Sequence, residues 1–180
     1  MHAATRFFTV PGLGGSGPGH WQTWLEQTDP AAFTRVQQRE WAAPDCTEWV
    51  AALDQALQGK DLRRVVLVAH SLGCATVAHW AARHGRTLRG ALLVAPADVN
   101  TPKFAAGPAT GFAPMPLARL PFASTVVLSS NDPWVTTERG RQFAAAWGSE
   151  LVEAGPAGHL NVASGHGPWP PAQELLRPWR

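Results

Sequence analysis

The stretch Val65-Val66-Leu67-Val68-Ala69-His70-Ser71-Leu72-Gly73 decides the fold. Its first four residues are apolar and three of them are β-branched, the pattern of a buried strand. Cys74-Ala75-Thr76-Val77-Ala78-His79-Trp80-Ala81-Ala82 follows directly and is compatible with a helix. A buried strand that breaks into a helix with a serine at the corner is the setting of a G-x-S-x-G nucleophile elbow. Here the elbow reads Ala69-His70-Ser71-Leu72-Gly73. Small residues are needed on both sides because strand and helix cross closely; Gly73 meets that need and Ala69 adds one methyl. The turn predicts a strained backbone at Ser71 that lifts its hydroxyl clear of the sheet. The plainer alternative is a serine that only caps the helix.

Outward from this corner, strand and helix patterns alternate. Residues 6–10 read as a short buried strand ended by Pro11-Gly12, and Gly12-Leu13-Gly14-Gly15-Ser16-Gly17-Pro18-Gly19 as a flexible loop. Residues 20–27 place Trp21, Trp24 and Leu25 on one helical face; residues 32–39 form a weakly patterned strand. Residues 47–58 carry Trp49, Val50, Leu53 and Leu57 at helical spacing, with Gly59 as the stop. The elbow helix ends near His84-Gly85. Strands follow at 88–95, 125–129 and 150–153, and helices at 137–147 and 171–176. This alternation predicts a three-layer α/β/α sandwich around a mainly parallel sheet of about six strands. With right-handed connections the first and third strands become neighbours, and ligands bind at the carboxyl ends of the strands at that switch point. The glycine loop and the elbow then overhang one crevice.

At 180 residues, the chain reads as one domain spanning residues 1–180, with enough length for a core that needs no disulfide staples. Hydrophobic residues at 45% and charged residues at 16% exclude a disordered or highly charged chain. The net charge is only +2, and Arg63-Arg64 is the one adjacent basic pair, so no nucleic-acid partner is expected. Phe7-Phe8-Thr9-Val10 before Pro11-Gly12 is too short for a signal-peptide core or a membrane span. The two cysteines, Cys46 and Cys74, have no metal spacing and fit a reducing compartment. The expectation is a cytoplasmic protein with no cofactor, no metal and no membrane partner. Composition is compatible with a monomer but fixes no oligomeric state.

A serine hydroxyl becomes an effective nucleophile when a base takes its proton and a third group orients the base. Of the seven histidines, His79 and His84 ride the elbow helix away from the crevice, His70 should point away from the serine, and His2 sits at the terminus. In the chain order serine, acid, histidine, His159 in Gly158-His159-Leu160-Asn161 is the leading base, and His166 the runner-up. Asp132 and Asp98 both follow strands and compete as the acid; Asp132 before Pro133 also reads as a turn aspartate. Two backbone N–H donors are needed for an oxyanion, and Leu72 and Leu13 occupy the right places. Gly12, His20, Trp21, Trp134 and Trp169 lie near the three functional loops and are candidates for contacting substrate.

With these pieces assembled, the chain resembles the small serine hydrolases typified by retinoblastoma-binding protein nine and its bacterial relatives. The resemblance covers nearly the whole chain. It rests on Pro11-Gly12-Leu13-Gly14-Gly15-Ser16 with His20-Trp21-Gln22, the elbow, Leu120-Pro121-Phe122-Ala123-Ser124, Ser130-Asn131-Asp132-Pro133, Gly158-His159-Leu160-Asn161 and Gly167-Pro168-Trp169-Pro170. It implies Ser71, Asp132 and His159 as the triad and a compact α/β-hydrolase fold without a cap domain, residues 96–124 being long enough only for a flap. It also implies hydrolysis of a small ester or a short peptide-like substrate; retinoblastoma binding does not carry over.

Two rival readings remain at this level. Gly12-Leu13-Gly14-Gly15-Ser16-Gly17 matches the dinucleotide fingerprint, with Glu40 as the ribose acid, but Pro18-Gly19 stands where the phosphate-binding helix should already run. A non-catalytic interaction module on a hydrolase scaffold is the other, since fold does not fix function. The nine tryptophans favour it only if they lie outside core and pocket wall.

Overall fold

The computed structural model describes residues 4–180; His2 lies outside the described residues. Six strands form one sheet: β1 (Arg6–Val10), β2 (Phe33–Arg35), β3 (Val65–His70), β4 (Gly90–Val94), β5 (Ser124–Leu128) and β6 (Glu150–Glu153). Their order is β2-β1-β3-β4-β5-β6, and every neighbouring pair is parallel. The chain steps outward from β1 to β2, returns past β1 to β3, and then runs the other way. The switch point therefore falls between β1 and β3, where Val10 pairs with Ala69.

The helices are α1 (Trp21–Thr28), α2 (Cys46–Leu57), α3 (Leu72–His84), α4 (Pro102–Ala105), α5 (Thr137–Trp147) and α6 (Pro170–Leu176). Strand alternation sorts the core into two faces. Phe8 and Val10 of β1 with Leu67 and Ala69 of β3 pack with Trp49 of α2, Trp80 of α3, and Phe143 and Trp147 of α5. Phe7, Val66 and Val68 pack instead with Trp21 and Leu25 of α1 and Ala172 and Leu176 of α6. All six residues of β3 are buried, which is why it reads as an apolar run from Val65 to Ala69.

Element boundaries depart from the pattern-based ones where backbone groups find other partners. The second strand keeps only three residues; after Arg35 a single bond, from the Val36 N–H to the Thr9 carbonyl, continues its contact with β1. The fourth strand starts at Gly90 rather than 88, because the Arg89 N–H is taken by the Leu62 and Val65 carbonyls. The second helix starts one residue early, at Cys46, capped by the Asp45 carboxylate on the Glu48 N–H. Within residues 96–124, Phe112, Met115, Leu120 and Phe122 are buried in the main core.

One close approach fixes the site. A Cβ built on Gly73 would sit 2.0 Å from the Val10 carbonyl oxygen. The first turn of α3 thus rests on the carboxyl end of β1, bringing the elbow against the glycine loop. No other residue type fits there.

Candidate active site

Ser71 closes β3 and opens α3 with φ 55° and ψ −121°, a left-handed value that costs a non-glycine residue about 1–3 kcal/mol. Its N–H is anchored on the Val94 carbonyl at 3.0 Å. Its side chain makes no capping bond to α3. Instead the hydroxyl donates to His159 Nε2 at 2.8 Å. His159 Nδ1 in turn donates to the Asp132 carboxylate, 2.9 Å from each oxygen. The Asp132 side chain is wholly buried and also accepts the Trp134 N–H at 2.8 Å. Since the carboxylate can only accept, Nδ1 carries a ring proton, and the Nε2 lone pair faces the Ser71 hydroxyl.

The loop bearing His159 is fastened to the end of β5 by contacts that sequence reasoning missed. The Asn131 side-chain oxygen accepts the Gly158 N–H at 2.7 Å, and the Ser129 hydroxyl accepts the Ala157 N–H at 2.9 Å. The signal was available: two polar side chains directly after a buried strand, immediately before the acid. His70 is the larger omission. Its ring reaches the His159 loop, where its Nε2–H donates to the His159 carbonyl at 2.8 Å, and it also lines the cavity over Ser71. Burial, reinforced by His159 and His20, holds the His70 pKa well below the ordinary histidine value, so the ring is neutral.

The remaining candidates separate cleanly. His166 sits beside Ser164 and Trp169 and bonds neither to the serine nor to an acid. Asp98 is engaged by Arg139 at 3.3 Å and by the Asn100 N–H, which makes it a loop anchor. Gly12, Leu13, His20 and Trp134 line a cavity of about 350 Å³ over Ser71, together with His70, Asn161 and Val162. Trp21 and Trp169 do not line it, which corrects the expectation for both. Trp21 is fully buried and donates its indole N–H to the Leu160 carbonyl, and Trp169 packs edge-on against it at 5.4 Å. They form the floor under the His159 loop.

A Cβ on Gly12 would lie 2.9 Å from the Ser71 Cβ and 3.2 Å from the Leu72 nitrogen, so loop and elbow touch without intervening side chains. The Leu72 N–H belongs to the first turn of α3 and has no intrahelical acceptor. The Leu13 N–H has no acceptor among the described residues. The glycine loop does not open a phosphate-binding helix: α1 begins at Trp21, past Pro18-Gly19, and the Glu40 carboxylate is turned back onto the Ala42 N–H. Among the described residues there is no cluster of three or more His, Cys, Asp or Glu able to hold a metal, and no helix long and apolar enough to cross a membrane.

The comparisons with known proteins point the same way as the fold. The family model described as serine hydrolase matches residues 7–178. A solved structure of a putative YdeN-like hydrolase from Pectobacterium atrosepticum superposes with a TM-score of 0.86 at 32% identity, covering 98% of this chain and 90% of that one. The ydeN gene product of Bacillus subtilis follows at 0.79 and 20% identity, with 98% of each chain covered. A carboxylesterase from Bacillus cereus shares the fold at 0.61 and 15% identity, covering 98% of this chain and 89% of that one. The comparison with curated proteins returns no match.

Proposed function

The chain belongs to the serine hydrolase family, and we propose that it cleaves small uncharged carboxylic esters through an acyl-enzyme on Ser71. The observation that carries this reading is the unbroken line of hydrogen bonds from the Ser71 hydroxyl through His159 to the buried Asp132 carboxylate. In the proposed reaction Ser71 Oγ attacks the ester carbonyl as His159 Nε2 takes its proton. Asp132 stays ionised and stabilises the imidazolium. The Leu13 and Leu72 N–H groups receive the oxyanion. His159 then returns the proton to the leaving alcohol, and a water, activated by the same imidazole, releases the acid.

Substrate size and charge follow from the walls. A cavity near 350 Å³ is at the small end for ligand sites, no Asp, Glu, Lys or Arg lines it, and burial keeps its His20 and His70 neutral. A charged acyl group would lose its hydration there and gain no ionic partner. We therefore infer a small-molecule substrate rather than a nucleic acid or a membrane. We also infer a cytoplasmic setting, in keeping with two buried cysteines held as free thiols.

The test is covalent capture. A fluorophosphonate should label the protein stoichiometrically at Ser71, and Ser71→Ala should abolish both labelling and at least ~10³-fold of kcat for a small activated ester. A folded protein that resists the probe overturns the proposal and favours a non-catalytic module.

A further inference from the structure

His20 stands between its own helix and the cavity. As N-cap of α1, its Nδ1 accepts the Gln22 N–H at 3.1 Å. In the neutral ring the proton therefore resides on Nε2. Burial, with Arg35 and His159 adding to it, lowers the His20 pKa to about 4, so the ring is neutral at physiological pH. No protein acceptor meets Nε2 among the described residues, where no buried side-chain nitrogen or oxygen lacks a partner. Nε2 must then open onto free space. The space His20 lines is the cavity over Ser71, which it shares with His159.

The donor is also held in place. Gln22 donates to the Val68 carbonyl at 2.9 Å and accepts the Ser16 hydroxyl, tying the start of α1 to β3 and to the glycine loop. Arg35 binds the Ser16 carbonyl and the Thr23 hydroxyl from the other side. The His20 ring packs against His70 with centroids 4.8 Å apart. A neutral, oriented N–H in an uncharged pocket suits an uncharged oxygen acceptor, because it offers a hydrogen bond without demanding a counter-charge.

We infer that His20 touches the substrate, its Nε2–H donating to an oxygen of the ester being cleaved. This rests on the reading of the chain as a hydrolase acting at Ser71. The bond strengthens as that oxygen gains negative charge in the transition state, so its loss falls on kcat/KM.

His20→Ser and His20→Asp both retain an oxygen able to cap the Gln22 N–H and remove the N–H that reaches the cavity. With p-nitrophenyl acetate as the probe, each should lose roughly 10²-fold in kcat/KM, the usual scale for one donor to developing charge. Fluorophosphonate titration should still find one reactive serine per chain in both. His20→Asn, which caps and also presents an N–H, should recover part of the loss. A kcat/KM within twofold of wild type in a folded His20→Ser or His20→Asp protein means that His20 only caps α1, and overturns the inference. A wild-type protein that never reacts with the phosphonate overturns the hydrolase reading instead, and this inference with it.

Discussion

His70 donates its Nε2 hydrogen to the backbone carbonyl of His159 at 2.8 Å, so the residue before the serine holds the residue that the serine hydroxyl bonds. The Ser71 hydroxyl and the His159 imidazole are thus linked through the end of β3, in addition to the Ser129 and Asn131 contacts from the end of β5. His70→Phe keeps the ring volume and deletes the donor, leaving a buried carbonyl without its partner at a cost of about 1–3 kcal/mol. A displacement of the imidazole by about 1 Å would reduce kcat/KM by roughly 10²-fold. Ester kinetics alongside amide exchange across residues 157–161 checks this. Wild-type rate with unchanged exchange would show that the loop holds itself.

The histidine and aspartate candidates separate by position. His159→Ala and Asp132→Asn should each lower kcat by about 10³- to 10⁴-fold, because one removes the base and the other its orienting charge. His166→Ala and Asp98→Ala should leave kcat within about tenfold. Asp98→Ala should instead lower Tm, since it releases Arg139 and the Asn100 turn. A dead His166 variant with an active His159 variant would relocate the chemistry to the following loop.

Much of this arrangement was legible in the residues. The run from Val65 to Val68 followed by a serine and a glycine specifies a buried strand and an elbow because few other structures tolerate that order. The glycine loop, Asp132 and His159 each follow a strand, and parallel topology puts the ends of those strands on one edge. What the sequence hid was direction. Trp21 and Trp169 sit beside functional loops in the chain, yet their side chains turn into the core under the His159 loop. Strand alternation turns His70 from the serine but says nothing of what its ring meets, which is the His159 carbonyl. The second strand is shorter than its pattern because an edge strand ends where its partner's hydrogen bonds end, which local pattern does not record.

Gly73 offers a test of the fold rather than the chemistry. A methyl there would meet the Val10 carbonyl oxygen at 2.0 Å, and backbone cannot swing aside as a side chain can. Gly73→Ala should therefore destabilise by at least ~2 kcal/mol. Gly59→Ala, at φ +69° with open space around it, should cost about 1 kcal/mol from backbone strain alone. Urea unfolding of both variants decides the matter. Equal costs would mean that α3 can lift off β1 freely.

The buried imidazoles predict acid sensitivity, and the sign follows from their protonation. His20 has a folded pKa near 4 against an ordinary value of 6.5, and His70 is lowered by burial in the same direction. Between those values the unfolded chain binds more protons than the folded one, so stability rises with pH. The contribution is complete above the unfolded value and is lost as pH falls towards the folded one. For His20 alone, lowering the pH from 7 to 5 should remove about 2 kcal/mol of unfolding free energy. His70 adds to that loss. Urea titrations at pH 7 and pH 5 measure the drop, and His20→Asn, which preserves the cap without titrating, should recover the His20 share. A protein equally stable at both values, or a His20→Asn variant with the full wild-type loss, would mean that His20 takes up its proton without leaving the folded state.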